Sequence, residues 1–185
     1  MTDIRHKMTK SNRQYLFEVD LNWLSEQKGI LSSDETAGTI QVAAPAAFGG
    51  QGREWSPEHL FLGAISSCFM STYLSFAEKS GLELSRLTCN AIGQIEVVEG
   101  KYRFTDINLF PKIYVAFDES KERAGEVLRK TQQFCLVANS VNARMIYHPE
   151  VLKDPHPRLL PNDENNYKEE SNHKDESNYK DYAEQ

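Results

Sequence analysis

The sequence predicts an α+β fold, and three observations point to it. A single long apolar stretch beginning at Ser56-Pro57 reads as a helix. Two long runs meeting at Glu99-Gly100 read as an antiparallel pair, and an earlier segment alternates apolar and polar residues at a period of two. The 185 residues favour one domain with extensions.

The elements follow in order. From Phe17 to Trp23 apolar and polar residues alternate, the pattern of a half-buried strand whose segment starts at Tyr15. Glu26 to Gly29 supplies a turn, Ile30 to Ser33 a return strand, and Thr39 to Ala43 a third strand. Phe48 to Trp55 is a glycine-rich loop without the Lys-Ser/Thr ending of a phosphate-binding loop, so its glycines permit a close turn or a lid. Ser56 suits an N-cap and Pro57 the first helical position, giving a helix to about Lys79 with Gly81 as its stop. Because this helix is apolar nearly all round, it should be buried on most sides, in part by a second chain. Strands at 84–98 and 102–117 come next, then a helix from Glu119 to about Phe134 capped by Asp118. A short helix reaches Val141, and Ala143 to Tyr147 closes the fold as an edge strand.

Charge divides the chain unevenly. Residues 162–185 carry eight acidic side chains against three lysines, and the remainder has a net charge of −1. That segment also repeats a hexapeptide (Asn166 to Ser171, Asn172 to Ser177, Asn178 onward) and holds almost no aliphatic residues, so it cannot offset its ordering entropy. The expected organisation is a flexible arm at 1–14, a folded domain at 15–152 and an acidic, disordered tail at 153–185, with Pro155, Pro157 and Pro161 marking the linker. A near-neutral body with an acidic tail has no basic stripe for phosphates, which argues against nucleic acid. The opening residues lack the apolar core of an export signal, and no run is read as the roughly 20 apolar residues of a membrane span. Three cysteines in such a chain fit reduced thiols and a cytoplasmic address.

Two of those cysteines are candidates for chemistry. Cys68 lies deep in the long helix and Cys135 in Phe134-Cys135-Leu136-Val137. A nucleophilic thiol needs a lowered pKa from a cation or a helix N-terminus, and Cys68 is too far along its helix for the macrodipole. Spacing alone therefore favours ordinary core cysteines. Cys89, between Leu87 and Ala91 on a strand, is assigned to packing. The histidines His6, His59, His148, His156 and His173 are scattered and show no metal-ligand spacing, so no metal is expected. Phe48, Trp55, Phe61, Phe69, Tyr73 and Phe76 suit either an apolar pocket or plain core.

Ser56-Pro57-Glu58-His59-Leu60, Cys68 ten residues after the glutamate, and Cys135-Leu136-Val137-Ala138-Asn139-Ser140 together resemble the OsmC/Ohr family of osmotically inducible and organic hydroperoxide resistance proteins. The resemblance spans roughly Tyr15 to Val151. It implies an intertwined homodimer with antiparallel sheets around long central helices. It further implies a thiol peroxidase without metal or organic cofactor, in which Cys68 attacks an organic hydroperoxide, Cys135 resolves the sulfenic acid and an external dithiol reduces the disulfide. Glu58 would orient an arginine beside the thiolate. Ten residues of helix rise about 15 Å and leave Glu58 about 80° from the Cys68 direction, so a working Glu58 comes most simply from the partner subunit. Its plainer role is to complement the helix N-terminus. The family's hairpin arginine is missing from Ser25 to Gly29, which leaves Arg53 as the candidate cation and Lys28 or Arg144 as substitutes without the same bidentate geometry in the lysine case. The alternative is a non-enzymatic redox sensor or small-molecule-binding dimer on the same scaffold.

Overall fold

The computed structural model describes residues 14–157, so the expected arm up to residue 13 and the acidic tail from residue 158 lie outside the described residues. The chain forms two compact units that meet between Ala64 and Ile65.

In the first unit, β1 (Asp20–Ser25), β2 (Lys28–Ser32) and β3 (Ile40–Ala43) form an antiparallel sheet in the order β1-β2-β3. The alternation read from Phe17 onward becomes a strand only at Asp20, where pairing with Ser32 begins. The turn is shorter than expected, because Lys28 already pairs across the strands. Every residue of β1 is exposed, Trp23 by 75%. The glycine-rich loop makes a close turn: a Cβ on Gly50 would lie 1.6 Å from the Ala44 carbonyl oxygen. Beyond the loop the Ala43 amide donates to the Trp55 carbonyl at 3.0 Å, tying the loop's end back to β3.

Ser56 caps α1 (Pro57–Lys79) as expected. Its Oγ accepts from the His59 amide at 3.3 Å and lies 2.9 Å from the His59 ring Nδ1, which buries Ser56 almost completely. Gly81, at φ +61, ends the helix in a conformation that other residues resist. The helix is less enclosed than its composition suggested. Ile65, Phe69, Tyr73 and Ala77 form its buried stripe, whereas Met70 and Leu74 remain over 40% exposed. Contrary to the sequence reading, Pro57–Lys79 is by length and composition long and apolar enough to cross a membrane. A one-sided buried stripe at i, i+4, i+8 is also what a core helix presents to a sheet.

In the second unit, β4 (Leu84–Val98) and β5 (Lys101–Val115) pair antiparallel along nearly their whole length. On β5 the residues Ile107, Leu109, Pro111, Ile113 and Val115 are all buried, so one face of the strand is core. Then come α2 (Ser120–Phe134), α3 (Leu136–Asn139), β6 (Arg144–Tyr147) and β7 (Glu150–Lys153). Both late strands pair with β5 in parallel, β6 along Asp106 to Leu109 and β7 along Lys112 to Val115. Pro111, which has no amide to donate, falls in the gap between these two stretches. β7 has no counterpart among the expected elements, since His148-Pro149 interrupts the run and the nearby prolines read as a linker.

The expected cap on α2 is corrected. Glu119 occupies the N-cap without a side-chain bond, and Asp118 instead pairs with Lys121 at 2.8 Å and Lys153 at 3.1 Å. Those two ammonium groups hold the Asp118 carboxyl below its usual range. The helix buries Ala124, Val127, Leu128 and Thr131, and the Tyr73 hydroxyl donates to the Ala124 carbonyl at 3.2 Å.

Candidate functional site

Cys135 is placed by a break in the chain direction. It ends α2 and caps α3 with an extended backbone (φ −64, ψ 107), and its side chain has no solvent exposure. The amides just after it belong to the first turn of α3 and have no partner within that turn. One of them, that of Val137, donates to Cys68 Sγ at 3.4 Å. The Thr72 hydroxyl, one helical turn after Cys68, lies 4.0 Å from the same sulfur. Cys68 and Cys135, 67 positions apart in sequence, are therefore brought to one place by the Val137 amide, near enough to shift each other's titration, both as free thiols.

The two thiols have opposite electrostatics. Burial pushes Cys68 up, but the Val137 amide, the Cys135 thiol, the Thr72 hydroxyl and the Leu136 amide outweigh it, leaving Cys68 below its ordinary value. Cys135 is pushed up to about 11, first by burial and then by the neighbouring Cys68, against the lowering pull of the Ala138 and Val137 amides. The first proton therefore leaves Cys68, and Cys135 stays a thiol that donates to the new thiolate. Among the described residues, the groups that chiefly lower Cys68 are neutral donors.

The other expected site residues lie elsewhere. Glu58 and Arg53 belong to the first unit, and Cys68 to the second. Glu58, in the first turn of α1, has a buried Oε2 without a hydrogen-bond partner among the described residues. Arg53 is exposed and makes no ion pair among the described residues. Among the described residues of the first unit, Lys28 is an engaged cation, 3.0 Å from Glu54 Oε1 and 3.3 Å from Gln51 Oε1. Lys28 holds the Glu54 carboxyl below its usual range. Arg144 is committed to Asp106, which removes it as a substitute beside the thiol. Of the aromatic candidates, Phe69 and Tyr73 are fully buried core, and Phe48 and Trp55 are exposed.

Sequence reasoning passed over Tyr147. Burial, followed by the charges of Cys135, Cys68 and Cys89, pushes its hydroxyl up to about 12. Its ring also packs 6.3 Å from that of Phe69, the residue after Cys68. A tyrosine in a short edge strand carries no local signal that it faces thiols, and only the parallel β5–β6 register reveals it.

Comparison with known proteins bears on the family and the fold. The family model described as OsmC-like protein matches residues 50–147, which include both thiols. The uncharacterized protein YmaD of Bacillus subtilis is 21% identical over 132 residues, 70% of this chain and 88% of that protein. An OsmC-like protein of unknown function from Vibrio cholerae superposes with a TM-score of 0.68 at 19% identity, covering 74% of this chain and all of the other. An organic hydroperoxide resistance protein from Elizabethkingia anophelis gives a TM-score of 0.60 at 20% identity, covering 77% of this chain and 99% of that one. With the family match extending over more than half of its length, the chain belongs to the OsmC-like protein family.

Proposed function

We propose that this protein is a cysteine-based peroxidase that reduces organic hydroperoxides to alcohols. The observation that carries the reading is the Val137 amide, two residues after the buried Cys135, donating to Cys68 Sγ at 3.4 Å, with Cys68 set below its ordinary value and Cys135 above its own. The Cys68 thiolate attacks the terminal peroxide oxygen and the O–O bond breaks. The alcohol leaves with a proton, and Cys68 becomes a sulfenic acid. Cys135 then attacks that sulfur, a disulfide forms and the sulfenic oxygen departs as water. An external dithiol restores both thiols by exchange.

In this reading the working form is a homodimer in the cytoplasm. The exposed β1 face and the uncovered Met70 and Leu74 on α1 supply apolar surface for a second copy. Glu58 of that copy orients Arg53 towards the thiolate, in keeping with an unpartnered carboxylate oxygen and an uncommitted guanidinium.

One observation favours a second reading. Because no cation acts on Cys68 among the described residues, the pair would also suit a sensor that oxidises once and signals. Titration separates the two. Reduced protein mixed with tert-butyl hydroperoxide should lose two thiols and gain a Cys68–Cys135 disulfide, then turn over repeatedly when a dithiol is supplied. Cys68→Ser should abolish both. Unchanged thiol counts at stoichiometric peroxide would remove the peroxidase reading, and a single oxidation without turnover would leave the sensor.

A further inference from the structure

Peroxide cleavage by a thiolate leaves two proton problems: the departing alkoxide needs a proton, and the buried Cys135 thiol must lose one before it can attack. Tyr147 offers a phenolic proton on the buried face of the same unit. It is register partner to Leu109, and Leu109 to Ala91, so its side chain lies on the buried face of the sheet, the face that also carries Cys89 opposite Pro111. Its ring packs on Phe69 at 6.3 Å, directly after Cys68 on α1. Ionised Cys135, Cys68 and Cys89 each raise its hydroxyl, and among the described residues no hydrogen bond engages it. Tyr73, the other buried tyrosine on this side, has its hydroxyl committed to the Ala124 carbonyl at 3.2 Å. Among the described residues the Tyr147 hydroxyl has no hydrogen-bond partner, so its proton is uncommitted.

We propose that Tyr147 relays one proton through the reaction: its phenol protonates the alkoxide released when Cys68 cleaves the peroxide, and the resulting phenolate takes the proton of Cys135. This rests on the peroxidase reading and completes it. The steps balance. Hydroperoxide, Cys68 thiolate and Tyr147 phenol give Cys68 sulfenic acid, alcohol and Tyr147 phenolate. Phenolate and Cys135 thiol give phenol and Cys135 thiolate, which attacks the sulfenic acid to form the disulfide and release hydroxide. The direction of each transfer is downhill. An alkoxide is a far stronger base than a phenolate, and a phenolate is in turn a stronger base than a thiolate, so it can take the Cys135 proton.

Tyr147→Phe keeps the ring and removes only the hydroxyl, and two oxidants then separate chemistry from packing. tert-Butyl hydroperoxide expels an alkoxide that needs a proton, whereas peracetic acid expels a carboxylate that does not. The relay predicts that the variant oxidises Cys68 about 10²-fold more slowly with the alkyl hydroperoxide and at nearly the wild-type rate with the peracid. It also predicts that Cys68 sulfenic acid outlives its wild-type counterpart, read by trapping with dimedone. Equal slowing with both oxidants would make Tyr147 a packing residue and overturn the relay, and so would slowing with neither. Wild-type thiols that survive both oxidants would instead bring down the peroxidase reading itself.

Discussion

The two units use the same kind of apolar alternation to opposite ends. In the second, β5 turns Ile107, Leu109, Ile113 and Val115 onto a face that its own chain buries completely. In the first, β1 presents Leu21 and Trp23 with nothing described above them, at 64% and 75% exposure. Chemistry is partitioned along the same line. The second unit holds both thiols and the neutral donors that set them apart, and the first holds Glu58, Arg53 and the Lys28–Glu54 pair. A period of two therefore predicts which residues share a face, but not which chain covers that face.

The largest test of this difference is stability. Leu109→Ala opens a cavity in a core that the chain closes alone and should cost about 2–5 kcal/mol in chemical denaturation. Leu21→Ala should cost about 0.5 kcal/mol or less if β1 stays exposed. If a second copy covers β1, that variant should weaken association, and its unfolding midpoint should become more dependent on protein concentration than the wild type's. Equal, concentration-independent losses at both positions would erase the distinction between the units.

A second test addresses the thiol pocket. Val137→Pro removes the amide that donates to Cys68 Sγ, at an early position of α3 where the helix makes no use of that amide. The ring should be tolerated and the Cys68 thiol should rise, read as thiolate absorbance against pH. Because the thiolate is the nucleophile, peroxide oxidation at neutral pH should slow by about tenfold, the worth of one hydrogen bond to a charged group. An unchanged titration would mean that donors outside the second unit set the thiol.

Much of the fold was legible because its signals are local. Ser56-Pro57 and Gly81 bracket α1 at the residues observed, and the Glu99-Gly100 turn fixes the β4–β5 pair. What escaped the sequence is long-range. Parallel pairing of β6 and β7 with β5 depends on two strands of four residues each, too short to declare a partner. The thiol pocket shows the same limit. Family-like motifs pick out Cys68 and Cys135, but the search for a cation missed neutral donors, because a backbone amide such as that of Val137 has no residue type to recognise. Tyr147 went unnoticed for a related reason: its neighbours in space come from α1, β4 and the α2–α3 junction.

The smallest expected effect decides whether the first unit contributes to the chemistry at all. Since neutral donors already hold Cys68 below its ordinary value, a cation brought by Glu58 and Arg53 adds an increment. Arg53→Ala should slow peroxide oxidation of Cys68 by about fivefold at most, the worth of one solvent-accessible charge pair. Glu58→Gln should cause a similar loss, and the double variant no more than either alone, because both remove one interaction. Mixed dimers give the sharper result. Cys68→Ser and Arg53→Ala subunits, each defective alone, combine into a dimer in which one site pairs an intact Cys68 with an intact Arg53 only if the arginine acts across the interface. Recovery of the wild-type rate constant in that mixture would place the charge of one unit at the thiol of another copy. No recovery, with Arg53→Ala itself at the wild-type rate, would leave the second unit as the whole catalytic apparatus.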